Sequence, residues 1–186
     1  RNIHCDVLVV GAGISGILAA KNAAKNNFKT LLIDERNELG GATIYQNREF
    51  NKIDNQSSSD WIKKEINELK NIDNLEVKTR TSVAAYHGYN YLLARENLTD
   101  HLEKKDKNNK VRQRLLKIRA KKVILATGAL ERPLVFNNND RPGIMLSTAV
   151  KKYADFFGVK CGEKNVFFTN NAVSYTHLRA HETRIH

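Results

Sequence analysis

The chain is poor in proline, cysteine and methionine, and its acidic residues are outnumbered. Its 2 prolines, Pro133 and Pro142, fall in one stretch, which leaves the rest of the 186 residues open to regular structure. The 2 cysteines, Cys5 and Cys161, lie far apart and share no ligand spacing, so neither a disulfide framework nor a metal site follows, and both read as packed thiols. No apolar run approaches the roughly 18 residues of a membrane helix, and no signal-peptide pattern is present. A soluble, cytoplasmic protein without a membrane partner is expected. The shortage of acid, 20 Asp and Glu against 31 Lys and Arg, leaves a charge of +11 and raises nucleic acid as a partner. The cations are spread over helix faces and the run EKKDKNNK at 103–110, without interleaved aromatics, so a solvated surface is the reading and no nucleic acid is expected. The only methionine is Met145, the first residue is Arg1, and a strand is already under way at Cys5, so sequence is expected to precede it. A chain of 186 residues buries one sizeable core, or one and a half small ones.

What is abundant at the start is apolar and small. Val7 to Val10 form a continuous apolar run, the mark of a strand buried on both faces, and lead directly into Gly11-Ala12-Gly13-Ile14-Ser15-Gly16. Ile17, Ala20, Ala24 and Phe28 then recur at helical spacing. Strand, glycine turn and helix in this order make a phosphate cradle. Gly11 permits the turn, Gly13 lets backbone amides approach a pyrophosphate, and Gly16 lets the helix pack against the strand. The next strand, KTLLIDE, ends in Asp34 and Glu35, about 20 residues beyond the glycines, where a carboxylate accepts both ribose hydroxyls and repels a 2'-phosphate. NAD or FAD is therefore expected over NADP. Arg36 beside the acids is a further candidate for phosphate contact. The ELGGATIYQ segment adds a second close backbone approach at Gly40, Gly41, Ala42 and Thr43. Residues 42–60 contain no cysteine, which excludes a thiol-disulfide mechanism for this chain.

Residues 57–74 read as a loop and a helix capped by Ser59 or Asp60 that buries Ile62, Ile66 and Leu69. LEVKTRTSVAAYHGYN, YLLARENLT and RQRLLKIRAKKVILATG alternate as strands and suggest a small β-meander, with Ser82 and Val83 offering backbone groups to an adenine. His87 reads as an exposed turn histidine, since no nucleophile or carboxylate stands at a recognisable spacing. Val123, Ile124 and Leu125 read as a buried parallel strand, after which Ala126-Thr127-Gly128 passes close to the pyrophosphate. STAVKKYADFFG returns to helix with Ser147 as cap and Gly158 as stop, and KNVFFTNN opens a second nucleotide-type unit without a glycine loop.

At these residues the sequence resembles the alpha subunits of heterotetrameric sarcosine oxidases. DERNELGG, RTSVAAYHGYN, RQRLLKIRAKKVILATGALERPLVFNNNDRPGIMLSTAV and FFTNN follow that family's order over residues 5–171, the ERP to NDRPG block being the specific part. The resemblance implies a subunit that pairs with a flavin-bearing beta subunit and two small subunits. Such complexes demethylate sarcosine to glycine, passing the one-carbon unit to tetrahydrofolate and electrons to oxygen. It implies a noncovalent NAD in this fold, amine oxidation at FAD in the beta chain, FMN at the alpha/beta boundary, and folate in a C-terminal domain outside this chain; the motifs themselves leave FAD as the alternative to NAD, because both share the adenosine diphosphate half. By position it places cofactor contacts at Gly11, Ala12, Gly13, Ile14, Ser15, Gly16, Asp34, Glu35, Arg36, Gly40, Gly41, Ala42, Thr43, Val83, Thr127 and Gly128. No catalytic residue and no metal ligand carries over.

The expected fold class is α/β, a Rossmann-like FAD/NAD(P)-binding domain of the two-dinucleotide-fold flavoprotein type, truncated at both ends. Its expected extent is 1–145, with the meander inserted at about 75–120. Residues 146–171 are expected to begin a second, incomplete nucleotide-binding-like unit. Residues 172–186 leave the family pattern and resemble a translated sequencing adaptor, so His177 and His181 are not read as a metal pair. Two other functions stand beside the leading one: a subunit of a related amine or opine oxidoreductase, and a non-catalytic assembly module stabilised by its nucleotide. On any of these, the chain alone is expected to be inactive.

Overall fold

The computed structural model describes residues 1–45, 52–107 and 110–169. They form two compact units, one of Arg1–Ile44 with Ser59–Gly128, the other of Tyr45–Ser58 with the described residues from Ala129 onward. His177 and His181, and the tail 172–186, lie outside the described residues.

The first unit starts with β1 (Asn2–Val10), α1 (Ile14–Lys25) and β2 (Thr30–Ile33). In the second unit the short strands β3 (Lys52–Ile53) and β4 (Gln56–Ser57) pair antiparallel. α2 (Ser58–Leu69), β5 (Leu75–Lys78), β6 (Thr81–His87), β7 (Tyr91–Asn97), the one-turn α3 (Lys104–Lys107) and β8 (Gln113–Leu125) complete the first unit. α4 (Ser147–Asp155) belongs to the second.

One six-stranded sheet, in the order β5-β2-β1-β8-β7-β6, organises the first unit. β5, β2, β1 and β8 are parallel, while β7 runs antiparallel to both β8 and β6. The strand Leu75–Lys78, read from sequence as the opening of the meander, is thus the third parallel strand, paired with β2. Its alternation resembles that of a meander strand because it lies at an open sheet edge, half exposed.

α1 lies on β1 and β2, burying Gly16, Ile17, Ala20 and Ala24. Phe28, assigned to this face by its spacing, is exposed instead. The helix stops at Lys25 and Asn27 takes φ 63°, which turns the chain away before the next apolar position arrives. A second core cluster joins Leu8 and Val10 of β1 and Leu31 and Ile33 of β2 to Leu92, Ala94, Leu116, Ile118 and Ala120 of the meander strands. Each Leu or Ile buried there contributes about 1.5–3 kcal/mol relative to exposure.

Other expectations are corrected as well. α2 begins at Ser58, so Ser59 and Asp60 sit inside its first turn; Trp61, Ile62, Glu65 and Leu69 are buried, and Ile66 only partly. Glu65 is tolerated because Lys21 of α1 donates to it at 2.6 Å and pairs with Glu68 at 2.7 Å. Val123–Leu125 is parallel to β1 as expected but not buried, with Leu125 60% exposed. β7 accompanies β8 only as far as Arg119, so beyond that point β8 has β1 on one side and no strand on the other among the described residues. Finally, Asn165–Thr169, read as an opening strand, forms no strand.

Ser147 does not cap α4. It is the first helical residue, and no side chain of the N-cap residue, Leu146, contributes a hydrogen bond. Glu131, sixteen residues upstream, accepts from the Ser147 N–H (3.1 Å) and hydroxyl (2.7 Å) on one oxygen, and from the Thr148 N–H (2.8 Å) and hydroxyl (2.7 Å) on the other. A carboxylate at a helix N-terminus satisfies orphan donors and opposes the helix dipole. Partial burial raises the Glu131 pKa, yet these four hydrogen bonds outweigh it and hold the carboxyl below its usual 4.5.

Candidate functional site

The glycine loop connects the C-terminal end of β1 to α1. Gly11 donates to the Ile33 carbonyl at 2.8 Å, and Ala126 donates to the Val10 carbonyl at 2.8 Å, so the loop is held between β2 and β8. A Cβ on Gly11 would overlap the Ala126 carbonyl, and its φ of 97° is one that side chains rarely adopt, so glycine is required twice over. A Cβ on Gly16 would collide with the Gly11 carbonyl oxygen and lie 3.3 Å from the Ala126 Cβ. Helix, loop and closing strand therefore meet at backbone contact.

Gly13 differs from both. A Cβ there would find no atom within 4 Å, so its missing side chain opens onto free space. Gly13 is also the N-cap of α1, has no side chain to cap the helix, and no acidic residue occupies the first turn. The amides at Ile14, Ser15 and Gly16 thus start a helix with no carboxylate to receive them, which is the arrangement a phosphate completes. Ser15 is exposed and Ala12 buried.

The Gly40–Thr43 segment closes on the same loop. Gly40 donates to the Ala12 carbonyl at 2.7 Å, and a Cβ on Gly41 would come within 2.9 Å of the Gly13 Cα. Ala42 is exposed, Thr43 buried, and its N–H returns to the Gly40 carbonyl at 3.1 Å.

At the other end of the loop, Asp34 accepts from the Ala12 N–H at 2.6 Å and from the Arg36 N–H at 2.8 Å, one on each carboxylate oxygen. Asp34 and Glu35 are adjacent just beyond β2, and spacing alone does not separate them. In the structure Asp34 turns into the glycine loop, whereas Glu35 and Arg36 are exposed. The contact from Asp34 to the loop was not anticipated, because nothing in spacing reports which oxygen faces inward.

The Asp34 carbonyl also accepts from the Thr81 N–H at 2.8 Å, which brings the start of β6 beside the acidic strand end. Val83 pairs with Ala94 and packs on the core, and β6 is the last strand of the sheet, leaving one backbone edge without a strand partner among the described residues. Thr127 and Gly128 follow Ala126 over the loop: the Gly11 Cβ position lies 3.2 Å from the Thr127 Cα, and Gly128 opens onto free space. All sixteen positions singled out from sequence therefore belong to one unit, gathered at the C-terminal ends of β1, β2 and β8 or at the β6 start beside them. His87 is exposed against Tyr91, ring centroids 5.8 Å apart, away from this cluster in register.

Cys5 stands within β1, ahead of the loop. Burial, with the neighbouring Asp6 charge behind it, pushes the Cys5 thiol up to about 11, and Cys161 lies in the other unit. Among the described residues no cluster of His, Cys, Asp and Glu is placed to hold a metal, and no helix is long and apolar enough to cross a membrane.

Comparison with known proteins agrees with this geometry. The family model described as pyridine nucleotide-disulphide oxidoreductase matches residues 5–173. Sarcosine oxidase subunit alpha of Corynebacterium sp. (strain P-1) is 41% identical over 174 residues, 94% of this chain. The protein of the same name from Rhizobium meliloti (strain 1021) is 36% identical over 173 residues, 93% of this chain. The chain spans only 18% and 17% of those proteins' lengths. Among solved structures, L-proline dehydrogenase from P. horikoshii superposes with a TM-score of 0.68 at 26% identity, covering 87% of this chain and 30% of that one. The chain belongs to the pyridine nucleotide-disulphide oxidoreductase family, as a Rossmann-like dinucleotide-binding domain similar to one part of the sarcosine oxidase alpha subunits.

Proposed function

We propose that the first unit binds the adenosine diphosphate half of NAD, within the alpha chain of an oxidoreductase that demethylates sarcosine. The observation that carries this is the uncapped start of α1, with open space before Gly13 and the Asp34 carboxylate beside it. The pyrophosphate would lie on the amides of Gly13 to Gly16, bordered by Gly41 and by Thr127-Gly128. Asp34 would accept the ribose hydroxyls: a carboxylate has about four lone-pair sites, and the two amides it already holds leave room for two more donors. Glu35 and Arg36 border the adenosine from the exposed side, and the Ser82-Val83 backbone edge stands where an adenine could pair. A bound dinucleotide supplies two-electron hydride chemistry. The chain's own part is to hold its diphosphate still and to repel a 2'-phosphate.

In the complete protein this unit would work alongside a flavin-bearing beta subunit and small subunits, with FMN at the alpha/beta boundary and tetrahydrofolate taking the one-carbon unit in a region outside this chain. Similarity to sarcosine oxidase alpha subunits supports that assignment. A second reading, oxidation of another secondary amino acid or of an opine, draws on the likeness to L-proline dehydrogenase. Denaturing the purified full-length subunit and identifying the nucleotide released tests the cofactor: NAD is expected, recovery of FAD alone overturns the choice of NAD, and recovery of neither overturns the site. Turnover of the whole complex on sarcosine, dimethylglycine, proline and opines tests the substrate, with sarcosine expected to be fastest.

A further inference from the structure

The outward face of the meander carries charge that the nucleotide site does not use. Alternate residues of β8 point away from the core: Gln113, Leu115, Lys117, Arg119 and Lys121 are all exposed between buried Leu116, Ile118 and Ala120. Register sets Arg95 of β7 opposite Leu115, Leu93 opposite Lys117, and Tyr91 opposite Arg119. On the other flank, Asn2 and His4 of β1 stand opposite Lys117 and Arg119. The Arg119 guanidinium lies over the Tyr91 ring, 5.1 Å from its centroid, and His87 of β6 approaches the same ring. Asp6, bound to Lys121 at 2.7 Å, is the one carboxylate on this face among the described residues of these strands. Arg95, Lys117 and Arg119 are left without a carboxylate partner there, while Leu115 is half exposed among them.

We propose that this face docks an acidic protein surface of another subunit in the complete enzyme. The inference rests on reading the chain as part of a multi-subunit protein. The composition of the face favours protein over nucleic acid. The cations are separated by Leu93, Leu115 and Tyr91, the mixture of arginine, aromatic and aliphatic groups found in protein interfaces. Arg119 is held by stacking on Tyr91, which preorganises its donors for a carboxylate. Four strands at about 4.8 Å spacing and seven residues at about 3.4 Å make a patch of roughly 400–450 Å². That is about half of one side of a standard interface of about 800 Å², so the patch is one part of a larger contact.

The test uses the full-length subunit and the other subunits of its purified complex. Arg95→Glu, Lys117→Glu and Arg119→Glu are combined and compared with Lys63→Glu, Lys64→Glu and Lys70→Glu on α2. Association is measured by light scattering and interferometry at low and high salt. The face variant should raise the dissociation constant by about tenfold or more at low salt, chiefly through a slower on-rate, and the α2 variant should not. Nucleotide released on denaturation should be the same in both, which separates failure of this proposal from failure of the nucleotide reading. Unchanged association, an equal loss in the α2 variant, or a loss confined to RNA binding in a filter assay would each overturn it. Should the triple variant misfold, Lys117→Gln with Arg119→Gln and acylation of wild-type Lys117 decide the matter. Protection of Lys117 in the complex supports docking, and equal labelling in free and assembled subunit overturns it.

Discussion

Gly13→Ala separates binding from folding at the glycine loop. Gly13 has φ −71° and ψ −175°, an extended conformation that alanine adopts freely, and its Cβ would meet nothing within 4 Å. Alanine restricts the unfolded chain more than glycine does, a gain of about 0.4–1 kcal/mol, but Gly13 is the N-cap of α1, where alanine is less favourable than glycine by a similar amount, so the variant should keep wild-type stability within about 0.5 kcal/mol. The same methyl group would stand in the space before the α1 amides. Charge-assisted hydrogen bonds contribute about 1.5–3 kcal/mol each, so displacing a pyrophosphate from one of them should weaken NAD by about 10- to 150-fold. Gly16→Ala provides the contrast. Its Cβ collides with the Gly11 backbone and crowds Ala126, a strain of about 1–3 kcal/mol that helix propensity offsets by at most about 1 kcal/mol. Stability and affinity should fall together there. Titration calorimetry with NAD and urea unfolding of the full-length subunit read both quantities. Wild-type NAD affinity in Gly13→Ala, or a stability loss matching that of Gly16→Ala, would refute the reasoning.

Three further perturbations address single contacts. Asp34→Ala removes the acceptor of two backbone amides and should cost about 1.5–3 kcal/mol in urea unfolding and weaken NAD, whereas exposed Glu35→Gln should leave stability within about 0.5 kcal/mol. The reverse ranking would make Glu35 the ribose acceptor. Glu131→Ala should cost about 1–2 kcal/mol as a lost helix cap. Because the folded-state pKa of Glu131 lies below 4.5, its contribution is complete above the ordinary glutamate value and is lost as pH falls through the lowered one. Glu131→Gln should therefore flatten the pH dependence of the urea midpoint below about pH 4.5, and an unaltered profile would contradict the cap. With the Cys5 thiol buried and pushed up to about 11, iodoacetamide at about pH 8 should alkylate the less buried Cys161 faster than Cys5, read by peptide mass spectrometry, and comparable rates would contradict the burial of Cys5.

Much of the fold was legible in the chain because the signals are local. A continuous apolar strand, three glycines and an alanine-rich helix can be satisfied in few ways, and the structure places them as β1, loop and α1. The same locality explains the errors. Phe28 has the right spacing for the α1 face, but a periodicity does not register that Asn27 turns the chain out of the helix. Ile124 and Leu125 have the composition of a buried strand, yet burial is a property of what lies alongside, and β7 leaves β8 at Arg119.

By itself, then, the sequence determined the βαβ unit, the acidic end of β2 and the glycine positions, since steric limits on φ and on backbone approach act within a few residues. Tertiary structure alone decided which carboxylate faces the loop, because Asp34 is chosen by an amide 22 residues away in the chain. It alone made Glu131 the cap of a helix that starts sixteen residues later, and set Arg119 over Tyr91 to leave a basic face outward. Those are pairings between distant segments, and the free energy that selects them exists only once the sheet has brought the segments together.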